Sequence, residues 1–166
     1  MTMTRKLLPL FLLTLLLPAG CGPSVRLYSD LDDSARFDQY STYSFLEFSE
    51  GNLKTITGME LERIRVAFAR EIEKHGLTFV EAGGDVSFKI TVYHRQAARG
   101  SGYWGIYNYM ERAIAVDMYD NQSMKHIWHC AASGELENDP EARAASLPLV
   151  VTKIFERYPV PAMVGS

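Results

Sequence analysis

The feature that most constrains this chain is a strict alternation of apolar and polar residues between Asp85 and His94. Because successive side chains of a strand point to opposite faces, this pattern predicts a β-strand with one dry face and one wet face. Such a strand is typical of an antiparallel sheet that is covered on one side only. The inward set is Val86, Phe88, Ile90 and Val92, and the outward set is Ser87, Lys89, Thr91 and Tyr93.

Two later segments repeat the alternation, and other segments rich in aromatic or β-branched residues also favour strands. The predicted strands are 25–28, 41–48, 77–80, 85–94, 113–120 and 125–134. The inward positions of the last two strands are Ile114, Val116, Met118, Trp128, Cys130 and Ala132. Cys130 lies between a Trp and an Ala on this apolar face, so we interpret it as a core residue.

Residues 58–75 carry apolar side chains at helical spacing. Thr57 and Glu60 match a capping box, in which the Thr side chain accepts from a backbone N–H and the Glu side chain reaches back. Gly76 supplies the left-handed residue expected just past a helix end. The predicted buried stripe of this helix is Leu61, Ile64, Phe68 and Ile72.

A second helix is predicted to begin at Asp139 and Pro140, because Asp is a favoured N-cap and Pro suits the first helical position. Pro148 inside this helix predicts either a kink or a fresh start capped by Ser146. The apolar stripe of the helix is Leu147, Val150, Val151, Ile154 and Tyr158. Residues 160–166 are predicted to be frayed.

This order of elements predicts an α/β (α+β) fold. We expect a two-layer sandwich, in which a mainly antiparallel sheet of about five or six strands carries two helices on one face.

The N-terminus has a basic start at Arg5 and Lys6, followed by an apolar run over Leu7–Leu17. A run of about 11 residues is shorter than the roughly 20 helical residues that cross a bilayer, and the pattern is that of a secretory signal peptide. It ends in Ala-Gly-Cys, with cleavage expected between Gly20 and Cys21. This junction resembles the lipobox of bacterial lipoproteins, which implies a diacylglyceryl group on the Cys21 sulfur.

The lipobox usually has an aliphatic residue three positions before the Cys, and this chain has Pro18 there. The alternative is ordinary cleavage near Ala19 and Gly20, which would leave a secreted protein with a free thiol. Gly22 stands where an Asp typically retains such lipoproteins at the inner membrane. The resemblance therefore implies a lipid anchor in the outer membrane, facing the periplasm, with the inner membrane or secretion as alternatives.

The predicted organisation is a lipoprotein signal peptide at 1–20, a lipidated anchor and linker at 21–36, one domain at 37–160 and a tail at 161–166. The formal net charge of −3 is mildly acidic. It argues against nucleic-acid binding, which needs a concentrated basic face. It also argues against electrostatic attachment to anionic lipid, so that membrane contact depends on the lipidated Cys21.

Three segments together resemble one known family. They are FDQYSTYSF at 37–45, VDMYD at 116–120 leading to Ile127-Trp128, and IFERYP at 154–159. These segments are similar to the bacterial lipoproteins grouped as domain-of-unknown-function family 4136 (DUF4136). In that family the first block begins with Asp followed by Phe and ends with Trp. Here Phe37 precedes Asp38, and the block ends with Phe45. The resemblance implies a compact α/β domain, an outer-membrane or periplasmic location and no established activity.

No catalytic residue and no metal site is predicted. The sequence lacks Gly-x-Ser-x-Gly, P-loop, His-Glu-x-x-His and Rossmann glycine patterns. His126 and His129 lie three apart on a predicted strand, so their side chains are expected on opposite faces, where they cannot share a metal without a bulge. Asp117 and Asp120 could act as a general acid and a general base only if a cleft raised the pKa of one of them. We therefore expect no enzyme and no cofactor, with a hydrolase as the weakest alternative.

Residues 96–112 are predicted to form a Gly-rich, aromatic loop of about 17 residues between two strands. Hairpin loops usually have two to five residues, and longer ones are often functional. The candidate partner-binding residues are Tyr103, Trp104, Tyr107 and Tyr109, and the flanking donors for an anionic partner are Arg95, Arg99 and Arg112. The alternative is that the strands run longer and that Trp104 folds back over the sheet edge.

The predicted function is that of a lipid-anchored, non-enzymatic lipoprotein of the cell envelope, acting as a partner-binding or accessory module of the outer membrane. Its partners would be the membrane, through the N-terminal lipid, and an unidentified envelope protein. The alternative is an envelope glycan- or lipid-binding protein that uses the aromatic 96–112 segment, because aromatic side chains with polar tips also stack on sugar rings.

Overall fold

A computed structural model describes residues 25–48, 56–100, 106–135 and 139–163. Within these residues the chain forms a six-stranded sheet and two helices. The strands are β1 (Arg26–Leu31), β2 (Thr42–Phe45), β3 (Thr78–Phe79), β4 (Val86–Gly100), β5 (Ile106–Asp120) and β6 (His126–Glu135), and the helices are α1 (Gly58–Lys74) and α2 (Pro140–Phe155). A 3₁₀ turn at Phe37–Gln39 lies between β1 and β2.

The strands lie in the order β1-β6-β5-β4-β2-β3. The first four are antiparallel neighbours, whereas β2 is parallel to both β4 and β3. α1 connects β2 to β3, and such a crossover is what allows two strands close in sequence to run parallel. The buried residues of both helices join one core with one face of the sheet. The predicted two-layer sandwich with a mainly antiparallel sheet is therefore confirmed.

The face of the sheet that the helices cover, here called the inner face, is apolar as the alternation predicted. All four inward residues of β4 and all six inward residues of β5 and β6 are buried. Trp128 lies at the centre, with its ring centroid 5.5 Å from that of Phe155 and 5.1 Å from that of Tyr158. Cys130 is a free, buried thiol, and burial raises its pKa to about 11. Its position in the core confirms the interpretation drawn from the sequence.

The opposite, outer face is less open than the alternation predicted. Ser87 and Thr91 were expected to face solvent, but both are buried. Ser87 is buried among polar neighbours that it contacts directly. Its hydroxyl lies 3.1 Å from that of Ser44 on β2 and donates to Asn121 Oδ1 at 2.8 Å. Satisfied hydrogen bonds let a small polar side chain be buried without a helix above it.

α1 begins as predicted, with the Thr57 hydroxyl accepting from the Glu60 N–H at 3.2 Å. The predicted return contact, in which the Glu60 side chain reaches back to the N-cap, is wrong. The Glu60 carboxylate instead forms an ion pair of 2.8 Å with Arg112 of β5. Gly76 follows the helix at φ +88°, in the left-handed region that favours glycine. The four residues of the predicted stripe are all buried.

α2 also begins as predicted, with the Asp139 carboxylate accepting from the Ala142 N–H at 2.8 Å. The helix then continues through Pro148 without the fresh start that was one of two expectations. Ser146 does not cap a new helix, because its hydroxyl donates to the Arg143 carbonyl at 3.1 Å.

The folded part of the chain is longer at both ends than the predicted 37–160 domain. β1 pairs with β6 along its whole length, so residues 26–31 belong to the sheet and not to a linker. At the other end, the Met163 N–H donates to the Lys74 carbonyl at 2.7 Å. Val160 is tied down as well, with its carbonyl 2.7 Å from His75 Nδ1. The tail is therefore fixed to the end of α1 as far as residue 163, where fraying was predicted.

Candidate functional site

The segment 96–112 is mostly strand, so the prediction of a loop of about 17 residues is wrong. β4 runs to Gly100 and β5 begins at Ile106, and every residue from Val86 to Gly100 has a partner on β5. The alternative expectation, that the strands run longer, describes the backbone correctly. The sequence missed this because residues 95–100 lack the apolar alternation that identified the first half of β4.

The outer half of this hairpin has no third strand among the described residues. The pairing of β5 with β6 ends at Glu111, and β2 pairs with β4 only as far as Phe88. Among the described residues, 96–100 and 106–110 thus pair only with each other, and we call this ribbon the arm. Five residues at about 3.4 Å each give the arm a length of roughly 17 Å. Ile106, close to its tip, is 76% exposed.

The base of the arm is held to the helices by a charged contact. Arg112 Nη1 lies 2.8 Å from Glu60 Oε1, and both side chains are largely buried. Burial lowers the pKa of Arg112, and the Glu60 carboxylate opposes that shift. Burial also lowers the pKa of His94, which lies opposite Arg112 in the hairpin register. Arg112 is therefore engaged in the fold through Nη1, and the expectation that it serves an anionic partner stays a prediction.

The predicted partner-binding residues divide into two groups. Tyr103 and Trp104 lie outside the described residues, between the two strands of the arm. The backbones of Tyr107 and Tyr109 are in β5, opposite Arg99 and Ala97. The strand pairing thus places the backbones of Tyr107 and Tyr109 on one ribbon.

The predicted anchor at Gly20 and Cys21 also lies outside the described residues. Among the residues that the structure does describe, neither helix has the length and apolar character that a bilayer crossing needs.

The two histidines that were expected on opposite faces lie on the same face, and that prediction is wrong. β5 and β6 shift register at Met118/Tyr119: Met118 pairs with Trp128 and Tyr119 with His126, so that Ile127 is an extra residue on β6. This β-bulge turns His126 to the outer face beside His129. The overlooked sequence signal was the pair of adjacent apolar residues between the histidines, Ile127 and Trp128. Both are buried, which a regular strand covered on one face does not allow.

Two depressions lie on the surface of the described residues. A groove of about 430 Å³ lies between α1 and α2, and its floor contains Glu71, whose carboxylate accepts from Lys74 at 2.7 Å and from Thr152 at 3.1 Å. A second depression lies at the end of the sheet beside Asp85 and Asp120. Hydrogen bonds within the fold engage the carboxylates of Glu71, Asp85 and Asp120.

The comparisons agree with this fold. Residues 27–160 match the model of a protein family described as a domain of unknown function, DUF4136. Among curated proteins none matches this chain.

Several solved structures have a similar fold. A PDZ domain protein from Parabacteroides distasonis ATCC 8503 is 14% identical with a TM-score of 0.59, over 86% of this chain and 37% of that protein. This chain thus spans little more than a third of that structure. The PelC dodecamer from Paraburkholderia phytofirmans is 8% identical with a TM-score of 0.52, over 80% of this chain and 95% of that one. A PelC variant dodecamer from the same organism is 7% identical with a TM-score of 0.54 and the same coverage. At such identities the likeness shows the fold alone.

Proposed function

This chain belongs to the DUF4136 family, and we propose that it is a lipid-anchored lipoprotein of the bacterial cell envelope that binds a partner protein through its arm and catalyses no reaction. The observation that carries the proposal is the arm itself, a two-stranded ribbon that extends past the rest of the sheet. The anchor supplies the location, and the arm supplies the contact surface.

Cys21 lies only a few residues before the start of the sheet in the sequence. β1 begins at Arg26, five residues after the Cys, and five residues span at most roughly 17 Å. A lipid on Cys21 would therefore hold the β1 edge of the domain close to the bilayer. Each buried methylene contributes about 0.8 kcal/mol, and stable anchoring takes two acyl chains, as a diacylglyceryl group provides. The full chain has an acidic net charge of −3, which gives it no electrostatic attraction of its own for anionic lipid.

We place the anchor in the outer membrane, with the domain in the periplasm. Gly22 follows the lipidated Cys in the sequence, in place of the Asp that is typical of lipoproteins retained at the inner membrane.

The arm suits a partner because its own stability is small. A two-stranded ribbon by itself is marginally stable in water, so one that extends past its sheet is expected to gain from a third element packed on it. Both of its edges lack a strand neighbour within the described residues, which leaves backbone groups for a strand of a partner to pair with. The residues between its strands include Tyr103 and Trp104, and these residue types are enriched at protein contacts.

Binding of an envelope glycan or lipid is the second candidate, since the same aromatic residues suit sugar rings. The unpaired strand edges favour a protein, because a row of backbone donors and acceptors at strand spacing matches the backbone of another polypeptide.

Crosslinking in intact envelopes, followed by capture of the full-length protein, tests the contact surface. Trp104→Ala should reduce the yield of a defined crosslinked protein at least fivefold, while Tyr28→Ala should not. Tyr28 is the matched control, because it is an exposed aromatic residue on β1, at the far edge of the sheet. Equal capture by both variants, or capture of glycan alone, would contradict the proposal. Circular dichroism on each variant separates lost binding from lost folding.

Fractionation of cells tests the anchor separately. Cys21→Ala should move the protein from the membrane fraction to the soluble fraction, because the diacylglyceryl group needs the Cys sulfur. Retention of the Cys21→Ala variant in the membrane would contradict a lipid anchor without affecting the assignment of the arm.

A further inference from the structure

We propose that Asp117, His126 and His129 form a binding site for a divalent transition metal, with Zn²⁺ as the expected ion, on the outer face of the sheet. This inference is independent of the arm and of the anchor.

The backbone brings the three side chains together. Asp117 of β5 lies directly opposite His129 of β6, and such antiparallel partners have their Cβ atoms about 4.5–5.5 Å apart. His126 would point away in a regular strand. The bulge at Ile127 restores it to the same face, and bulges of this kind commonly re-aim a side chain next to a functional site.

The ligand atoms are close enough for one ion. His129 Nδ1 lies 2.7 Å and His126 Nε2 lies 3.1 Å from the same oxygen, Asp117 Oδ1. One such atom from each residue lies within 4.8 Å of the other two. Zinc binds nitrogen and oxygen ligands at about 2.0–2.2 Å, so neighbouring ligands in a tetrahedral shell are roughly 3.3 Å apart. The Asp117–His126 separation is within about 0.2 Å of that spacing, and the Asp117–His129 separation would have to widen by about 0.6 Å. The two histidine nitrogens, which lie within 4.8 Å of each other, would have to approach to about 3.3 Å.

The surroundings hold the rings in place without closing the site. His126 stacks on Tyr119, with ring centroids 4.9 Å apart and an angle of 27° between the rings. His129 lies against Tyr28 at 6.0 Å. The side chain of Asp117 is 18% exposed, that of His129 26% and that of His126 45%, so the site is open to solvent. An ion bound there would have three protein ligands and at least one position for water or for a ligand from another molecule.

The chemistry of the donors selects the class of ion. Two imidazoles and one carboxylate suit zinc and its neighbours in the first transition row, whereas Ca²⁺ and Mg²⁺ prefer oxygen ligands only. The charges nearby are mixed. Asp30 lies opposite His129 on β1 and favours a cation, and Lys89 lies opposite Asp117 on β4 and disfavours one.

The competing arrangement is a cluster held by hydrogen bonds alone. In it both histidines donate to Asp117, and His126 Nε2, which is also 3.0 Å from the Trp128 carbonyl, is shared between two acceptors. A metal would replace these hydrogen bonds by three coordinate bonds. The two arrangements differ in whether the protein binds an ion at a fixed stoichiometry.

The test is a Co²⁺ and Zn²⁺ titration of the purified full-length protein after treatment with a chelator. Co²⁺ should produce visible d–d absorption that saturates at one ion per chain, and Zn²⁺ should displace it. His129→Gln and Asp117→Asn should each lower the affinity for Zn²⁺ at least about tenfold. Even substitutions of residues that only support the ligands lower metal affinity by about that factor. His94→Gln is the matched control, a histidine that lies outside the cluster on β4, and it should bind as the native chain does.

Thermal unfolding gives a second readout that does not depend on the spectrum. An ion that binds only the folded chain raises its melting temperature, so Zn²⁺ should stabilise the native protein and the His94→Gln variant and not the His129→Gln variant. Binding no tighter than millimolar, or equal binding by the native, His129→Gln and Asp117→Asn proteins, would overturn the proposal. If both variants fail to fold, His126→Gln at the most exposed ligand carries the same test.

Discussion

The two faces of the central sheet are built in different ways. The inner face is a row of large apolar side chains, among them Trp128, Met118 and Phe88, which are all buried beneath two helices. The outer face has no helix in the described residues and instead carries polar groups that bond to one another, such as Ser44 with Ser87 and Asp117 with His129. The inner face stabilises the fold through burial of apolar surface. The outer face can hold hydrogen-bonded polar groups in fixed positions because the inner face has already set the backbone.

This difference indicates where function is to be sought. Substitution on the inner face is expected to cost the most stability, whereas substitution in the Asp117 cluster of the outer face or in the arm is expected to change binding.

Trp128→Ala should destabilise the protein by about 3–5 kcal/mol, because it removes a large ring that is 1% exposed and contacts Phe155 and Tyr158. Tyr28→Ala on the outer face should change stability by no more than about 0.5 kcal/mol, because that ring is 66% exposed. Urea unfolding of both variants measures the contrast. Similar losses for the two variants would show that the faces do not differ as proposed.

Glu60→Gln should cost about 1–3 kcal/mol, because it leaves the largely buried guanidinium of Arg112 without its counter-charge. The contact joins the helix layer to the base of the arm. Adding Arg112→Met to this variant should recover part of the loss, since no unpaired charge then remains. Glu62→Gln, an exposed position two residues further along α1, is the control and should be nearly neutral in the same denaturation experiment.

Ser87→Ala should cost about 0.5–1.5 kcal/mol, the net worth of a hydrogen-bonded group. The substitution removes the contact with the Ser44 hydroxyl and the hydrogen bond to Asn121, both on the outer side of β4. Equilibrium unfolding in urea gives the value. No loss at all would mean that the burial of Ser87 is incidental and that the outer face behaves as a plain solvated surface.

Stability should fall below about pH 4 partly because of Asp85 at the end of the sheet. Backbone N–H groups of Ser41 and Thr42, each 2.9 Å from its carboxylate, lower the pKa of Asp85 below the ordinary 3.8. The folded state therefore binds this proton less readily than the unfolded state. Its stabilisation is present above pH 3.8 and is lost as the pH falls through the lowered pKa. Asp85→Asn should flatten this part of the pH dependence of the urea midpoint, and an unchanged profile would exclude Asp85 as a contributor.

Much of the inner face could be predicted from the sequence, because apolar periodicity depends only on residues close along the chain. The stripe of α1, the inward residues of β4 to β6 and the N-caps Thr57 and Asp139 were all predicted from such local patterns. The contacts that were missed join distant residues. Glu60 was predicted to cap its own helix, and it pairs instead with Arg112, which lies 52 positions further along the chain.

The candidate sites likewise divide into those visible in a local stretch of sequence and those formed by the pairing of distant segments. The aromatic residues between β4 and β5 and the Ala-Gly-Cys junction were visible in the sequence, and their assignments to a partner and to a lipid anchor stay predictions. The arm was not visible, because the strands of a ribbon with mixed composition are identified only by their pairing with each other. The Asp117, His126 and His129 cluster was excluded by the rule of strand alternation, which holds only where the register is unbroken.

The sequence by itself determined the covered sheet, its two helices and the family resemblance, because these follow from the order and the spacing of apolar residues. The tertiary structure decided the register between strands, and with it the length of the arm and the bulge at Ile127. The physical reason is that a one-residue shift between strands moves a side chain to the other face of the sheet. Such a shift depends on how two distant segments pack, and it placed His126 beside Asp117.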